Sequence, residues 1–244
     1  MDFTLDKYAQ LLDALRAYGF EHLTLRHDVD ARPENSLRTA RMEADRGMKG
    51  IYYFRAVPES WDRKIICAIL NLGHEIGYHY ESLTVCSGDV DAAYRDFCAN
   101  LERLRLLAPV RSICMHGSPR SPWDSRDIWK KYDYHALGIE SEPYLDTDFS
   151  KVFYLTDTGR CWDGFKVSVR DKIPEYQDEW IANGLVFHTT DDILQGLATG
   201  IFPRNLMLTV HPQRWNPFGP LWLRELAFQG VKNLVKRNMI KNLY

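Results

Sequence analysis

The sequence predicts an α/β fold in which parallel strands build a sheet or barrel, and three observations carry that expectation. Short apolar, strand-like runs alternate with segments of helical spacing along most of the chain. That alternation is the pattern of βα units. Four of the runs end on a carboxylate or an imidazole: Arg26-His27-Asp28-Val29-Asp30, Gly77-Tyr78-His79-Tyr80-Glu81, Met115-His116-Gly117-Ser118-Pro119 and Thr209-Val210-His211-Pro212. Reactive groups gathered at strand C-termini are how barrel enzymes build their sites. The length of 244 residues and the 45% apolar content give room for a substantial core within one domain spanning 1–244.

The elements follow in order. Tyr8 to Tyr18 has helical apolar spacing and Gly19 stops it. Leu23 to Arg26 reads as a strand. Pro33 suits the first turn of a helix that runs to Gly47. Ile51 to Val57 is a strand of aromatic and β-branched residues, and Pro58 to Leu72 a helix closed by Gly73. Glu75 to His79 is a strand, Asp89 to Leu107 a long helix, Val110 to Met115 a strand. Trp123 to Lys131 is helical and Tyr134 to Ile139 a further strand. The stretch from Glu140 to Glu179 is less regular, with strand-like pieces at Val152 to Leu155 and Phe165 to Val169. Leu185 to His188 and Leu206 to Val210 are strands, with a helix at Asp191 to Thr199 between them. About seven parallel strands are expected in all.

Charge and cysteine usage narrow the partners. A net charge of −2 leaves no broad basic field for nucleic acid. The opening residues Met-Asp-Phe-Thr-Leu-Asp do not read as a secretory signal, and no apolar run approaches a membrane span. Cys67, Cys86, Cys98, Cys114 and Cys161 are odd in number and lack a Cys-x-x-Cys pair. Reduced thiols and a cytoplasmic location are expected.

The site candidates come from strand ends. Asp28 and Asp30, one residue apart on an extended strand, face the same side. One can hold a metal while the other serves as base. The plainer alternative is a turn or helix cap. His27 has the opposite parity and reads as packing. Gly77 allows close approach beside His79. Glu81 shares the parity of His79 and is a ligand or a substrate contact. His116 follows an apolar strand and precedes a turn, with Cys114 beneath it. His211 ends the most strand-like late segment and suits a proton donor. Trp123, Trp162 and Trp215 lie among charges, where an exposed ring could stack on a sugar. Asp157, Arg160 and Asp163 surround Trp162.

In this order the segments resemble the polysaccharide deacetylase family, over roughly Leu23 to Trp215. The resemblance implies a distorted (β/α) barrel and one divalent metal, usually zinc, held by an Asp and two His. The first motif of that family carries two carboxylates, a catalytic base and then a ligand. Here Val29 stands between them, so Asp28 takes the place of the base and Asp30 that of the ligand. The second motif begins at Gly77-Tyr78-His79, but Leu83 stands where the family has its second ligand His. His116 or Glu81 is the replacement. Arg160, Trp162 and Asp163 are loosely similar to the fourth motif, and His211 falls at the late motif whose His donates a proton.

The resemblance implies a metal-dependent hydrolase that removes an N-acyl group, acetyl or formyl, from an amino sugar of a glycan or glycan precursor. Asp28 and His211 would be catalytic, and Asp30, His79 and His116 would hold the metal. Glu81, Asp157 and Trp162 would contact substrate. The alternative is a catalytically silent glycan-binding module that relies on Trp162 and Trp215. A phosphodiesterase or aldolase barrel would need a phosphate cluster. Only Arg120, Arg126 and Arg214 lie near the motifs. Finally, about 219–243 reads as an amphipathic helix with Lys232, Lys236, Arg237 and Lys241 on its polar side. It packs on the barrel or touches anionic lipid peripherally.

Overall fold

A computed structural model of the chain describes residues 1–118, 121–162 and 172–241. Its strands are β1 (His22–Val29), β2 (Ile51–Phe54), β3 (Glu75–Tyr80), β4 (Ile113–Met115), β5 (Phe153–Thr156) and β6 (Asn205–Val210). Every pairing is parallel, in the order β4-β3-β2-β1-β6-β5. The sheet curls into a half-barrel. Among the described residues the expected barrel of about seven strands is therefore a six-stranded partial barrel.

The helices are α1 (Leu5–Tyr18), α2 (Pro33–Ala44), α3 (Arg63–Asn71), α4 (Ser82–Val85), α5 (Val90–Arg105), α6 (Pro143–Asp146), α7 (Pro174–Ala182), α8 (Thr190–Thr199) and α9 (Pro220–Lys241). Local chemistry sets their ends. Thr4, Asp62 and Asp89 cap α1, α3 and α5 by accepting first-turn backbone N–H groups. Thr189 and Asp192 form a reciprocal capping box on α8. Gly19 ends α1 in the left-handed conformation, at φ 74°, which glycine adopts without a Cβ clash.

Burial then fixes the layers. Leu11, Leu12 and Leu15 of α1 pack with Ile193 of α8 against Leu206 and Leu208 of β6. Ile66 and Ile69 of α3 and Phe97 and Leu101 of α5 cover β2, β3 and β4 through Tyr52, Phe54, Tyr78 and Ile113. Gly77 does admit a close neighbour: a Cβ there would lie 2.3 Å from the Tyr53 ring. His27 points away from Asp28, as its parity requires. It stacks on Tyr52 with ring centroids 4.0 Å apart and meets the buried Glu43 carboxylate at 2.9 Å.

The structure corrects two expected strands, and a third falls on residues it does not describe. Tyr134 to Ile139 contains a short 3-10 helix, His135–Leu137, instead of a strand. Leu185 to His188 pairs with no strand among the described residues; the His188 carbonyl accepts from the main-chain N–H of Trp162 at 3.2 Å. Phe165 to Val169 lies outside the described residues. No helix among the described residues is long and apolar enough to cross a membrane.

Candidate metal centre and proton-transfer pair

The parallel sheet puts every strand C-terminus on one rim. Asp28 is the penultimate residue of β1 and Asp30 follows the strand; His79 sits near the end of β3, with Glu81 just after it. His116, Asp157 and His211 follow directly on β4, β5 and β6. Pro212 opens a 3-10 turn after β6 that leaves His211 at the rim.

Three of these groups converge. Asp30 Oδ1 lies 3.6 Å from His79 Nε2 and 3.5 Å from His116 Nε2. Ligands held at zinc distances in a tetrahedron stand about 3.3 Å apart, so the spacing fits a small divalent cation. The donor chemistry fits too. His79 donates its Nδ1–H to the Cys114 carbonyl at 2.9 Å, and His116 donates its Nδ1–H to Glu81 Oε2 at 3.0 Å. Each ring thereby aims its Nε2 at Asp30, and loss of the proton there would leave the lone pair of a metal-bound imidazole with its usual outer bonding. Asp30 Oδ1 itself is buried without a hydrogen-bond donor. Its companion Oδ2 accepts from Gln213 Nε2 at 3.0 Å. Burial alone would raise the Asp30 carboxyl, but His79, His116 and His211 hold it well below the usual carboxylate range.

A second grouping, Asp28 with His79 and Cys114, also brings potential ligand atoms together. It suits a cation less well, because Asp28 is already engaged. Arg26 Nε and Nη2 donate to its two oxygens at 2.9 and 2.6 Å, with both side chains buried. Burial would push the Asp28 carboxyl up, yet Arg26 and His79 hold it at about 2. Asp28 is thus ionised at neutral pH, 3.7 Å from His79 Nε2. Arg26 is in turn covered by Tyr144, whose ring lies 4.7 Å from the guanidinium carbon.

On the other side of Asp30 stands His211, its Nε2 4.0 Å from Asp30 Oδ2. Asp157 orients it. That carboxylate accepts from His211 Nδ1 at 2.6 Å and from the His211 backbone N–H at 3.0 Å. Arg214 Nη1 and Trp215 Nε1 donate to it as well, each at 2.8 Å. Despite full burial, Arg214 and His211 keep Asp157 below the usual carboxylate range. Beside Asp30 and reaching to α9 opens a cleft of about 480 Å³, lined by Asp30, Arg55, His116, Gln213 and, from α9, Phe228 and Lys232.

The expected substrate contacts are repositioned. Glu81 pairs with Arg55 at 2.6 Å and with His116, and Asp157 faces His211. Trp162 is fully buried, its indole N–H held by Thr190 Oγ1 at 2.8 Å, and Trp215 is buried beside it. Neither ring offers a face to a sugar, because both pack around Phe3 in the core. Trp123 remains partly exposed. Asp163 and Arg120 lie outside the described residues. Sequence reasoning missed Arg26 as the partner of Asp28, and Arg55 altogether. The first shares the strand parity of Asp28, and the second follows the end of β2 as the expected residues follow theirs.

No family model matches the chain, and no curated protein matches it.

Proposed function

We propose that this chain is a metal-dependent amide hydrolase that removes an N-acyl group, acetyl or formyl, from an amino sugar of a glycan or glycan precursor. The observation that carries the reading is one rim on which the Asp30–His79–His116 group lies between an ionised Asp28 and an Asp157-oriented His211. A divalent cation held by Asp30, His79 and His116, with zinc the first choice for one carboxylate and two imidazoles, would polarise the acyl oxygen and acidify the attacking water. Asp28 takes the proton of that water as its oxygen bonds to the acyl carbon. Arg26 fixes the Asp28 carboxylate in place and keeps it charged. His211 gives a proton to the amide nitrogen as the C–N bond breaks, so the products are a carboxylate and an amine. Asp157 stabilises the imidazolium that donates it.

The amino-sugar substrate rests on the order of the motifs along the chain, which resembles that of polysaccharide deacetylases. Against a binding-only module stands the burial of Trp162 and Trp215, the rings such a module would use. Release of acetate or formate from a panel of N-acylated amino sugars and their nucleotide- or lipid-linked forms tests the reading. Asp28→Asn should remove turnover and leave cation binding in place. Full activity in that variant contradicts the assignment.

We also place the protein in the cytoplasm with peripheral membrane contact through α9. Among the described residues Cys67, Cys86, Cys98, Cys114 and Cys161 form no disulfide. The first half of α9 buries Trp222, Glu225 and Gln229 but exposes Leu221, Leu223, Leu226 and Phe228. The chain from 226 onward carries Lys232, Lys236, Arg237 and Lys241 and no acidic residue, which suits an anionic lipid surface.

A further inference from the structure

Arg55 leaves the end of β2 and reaches two neighbours at once. Its Nε and Nη2 donate to Glu81 Oε1 at 2.8 and 2.6 Å, and its Nη1 donates to the main-chain carbonyl of Asp30 at 3.2 Å. Glu81 divides its carboxylate between two partners: Oε1 is held by Arg55, and Oε2 accepts the Nδ1–H of His116 at 3.0 Å. Both members of the pair are largely buried, with side-chain exposures of 20% and 13%. His116 follows β4, its backbone N–H donating to the Tyr80 carbonyl at 2.8 Å, and its ring reaches out to Glu81. His79 differs, because it lies within β3 and uses the Cys114 carbonyl.

We propose that Arg55 and Glu81 are positioning residues for the cation site, fixing the tautomer and ring plane of His116 and tying that ring to Asp30. The inference rests on the cation-site reading given under Proposed function and deepens it. A carboxylate acceptor on Nδ1–H leaves Nε2 as the lone-pair nitrogen and makes it a stronger donor to a metal. A guanidinium fork holds that carboxylate in one plane, which an ammonium point charge does not. The arrangement joins four strand ends: Asp30 after β1, Arg55 after β2, Glu81 after β3 and His116 after β4. It allows the end of β4 to supply the third ligand.

Zinc affinity of the metal-stripped full chain, read by competition with a chromophoric chelator, tests this together with cobalt(II) absorption spectra. Glu81→Ala should lower zinc affinity about tenfold to a hundredfold and shift the cobalt bands. Glu81→Gln should lose less, since its single carbonyl oxygen can accept from His116 or from Arg55 but not from both. Arg55→Lys should fall between wild type and Glu81→Ala. Glu81→Ala with zinc affinity within twofold of wild type and an unchanged cobalt spectrum overturns the proposal. If Glu81→Ala does not fold, wild-type affinity in both Glu81→Gln and Arg55→Lys overturns it equally. A wild-type chain that takes up neither metal overturns both this proposal and the proposed function. Tight binding lost in Glu81→Ala, with no acyl release from any sugar, upholds the positioning role and overturns only the hydrolase.

Discussion

The Asp157 carboxylate accepts a 2.6 Å hydrogen bond from His211 Nδ1, across the ends of the neighbouring strands β5 and β6. Replacing Asp157 with Asn turns an anionic acceptor into a neutral amide and removes the support for a charged imidazole. The expected result is a loss in kcat on the order of 100-fold or more, with little change in zinc content. Steady-state kinetics beside elemental analysis check this. An Asp157→Asn enzyme with wild-type kcat contradicts the role given to the pair.

Arg26 and Asp28 are both buried, so removing one leaves the other as an unpaired charge. Arg26→Leu should destabilise the fold by roughly 3–5 kcal/mol. The double variant Arg26→Leu with Asp28→Asn should cost less than the sum of its parts, because no ionised partner remains stranded. Denaturant unfolding of the four proteins gives the answer. Simple additivity contradicts a coupled pair.

Acid should destabilise the metal-free protein through the same groups. Asp28 and Glu81 both sit at about 2 in the folded chain, below their unfolded values. Each therefore contributes stability that is present above pH about 4 and is lost as pH falls toward 2. For Asp28 the contribution is on the order of 2 kcal/mol. Unfolding midpoints measured from pH 7 down to 2 should drop through that window. The drop should flatten in Asp28→Asn and in Glu81→Gln.

Glu43 belongs to the fold and not to the site. It accepts from the Tyr8 hydroxyl, from Tyr52 at 3.0 Å, and meets His27 at 2.9 Å, all fully buried. Glu43→Leu strands these donors and should cost about 3 kcal/mol or more while zinc affinity stays unchanged. Thermal melts and chelator competition separate the two effects. A large loss of zinc affinity contradicts the division between the two faces of β1.

Much of the rim was legible because strand parity and strand ends are local properties. The period of two separated His27 from Asp28 correctly, and Pro212 marked the end of β6. Strand order is not local. Nothing near Asp157 says that β5 lies beside β6 with Thr156 opposite Thr209, the register that carries Asp157 to His211. Trp162 misled for a related reason. Its charged neighbours suggest a surface loop, but Phe3 and Trp215, far away in the chain, enclose it. Tyr134 to Ile139 has strand-like composition. Its polypeptide ends instead in a turn at Gly138, with φ 71°, that closes a 3-10 helix.

The most direct measurement is the metal content of the purified protein by elemental analysis, wild type beside His79→Ala and His116→Ala. About one zinc or other divalent transition metal per chain is expected in the wild type, lost in both variants. No metal after incubation of the wild type with zinc, or full retention in His116→Ala, contradicts the Asp30–His79–His116 centre.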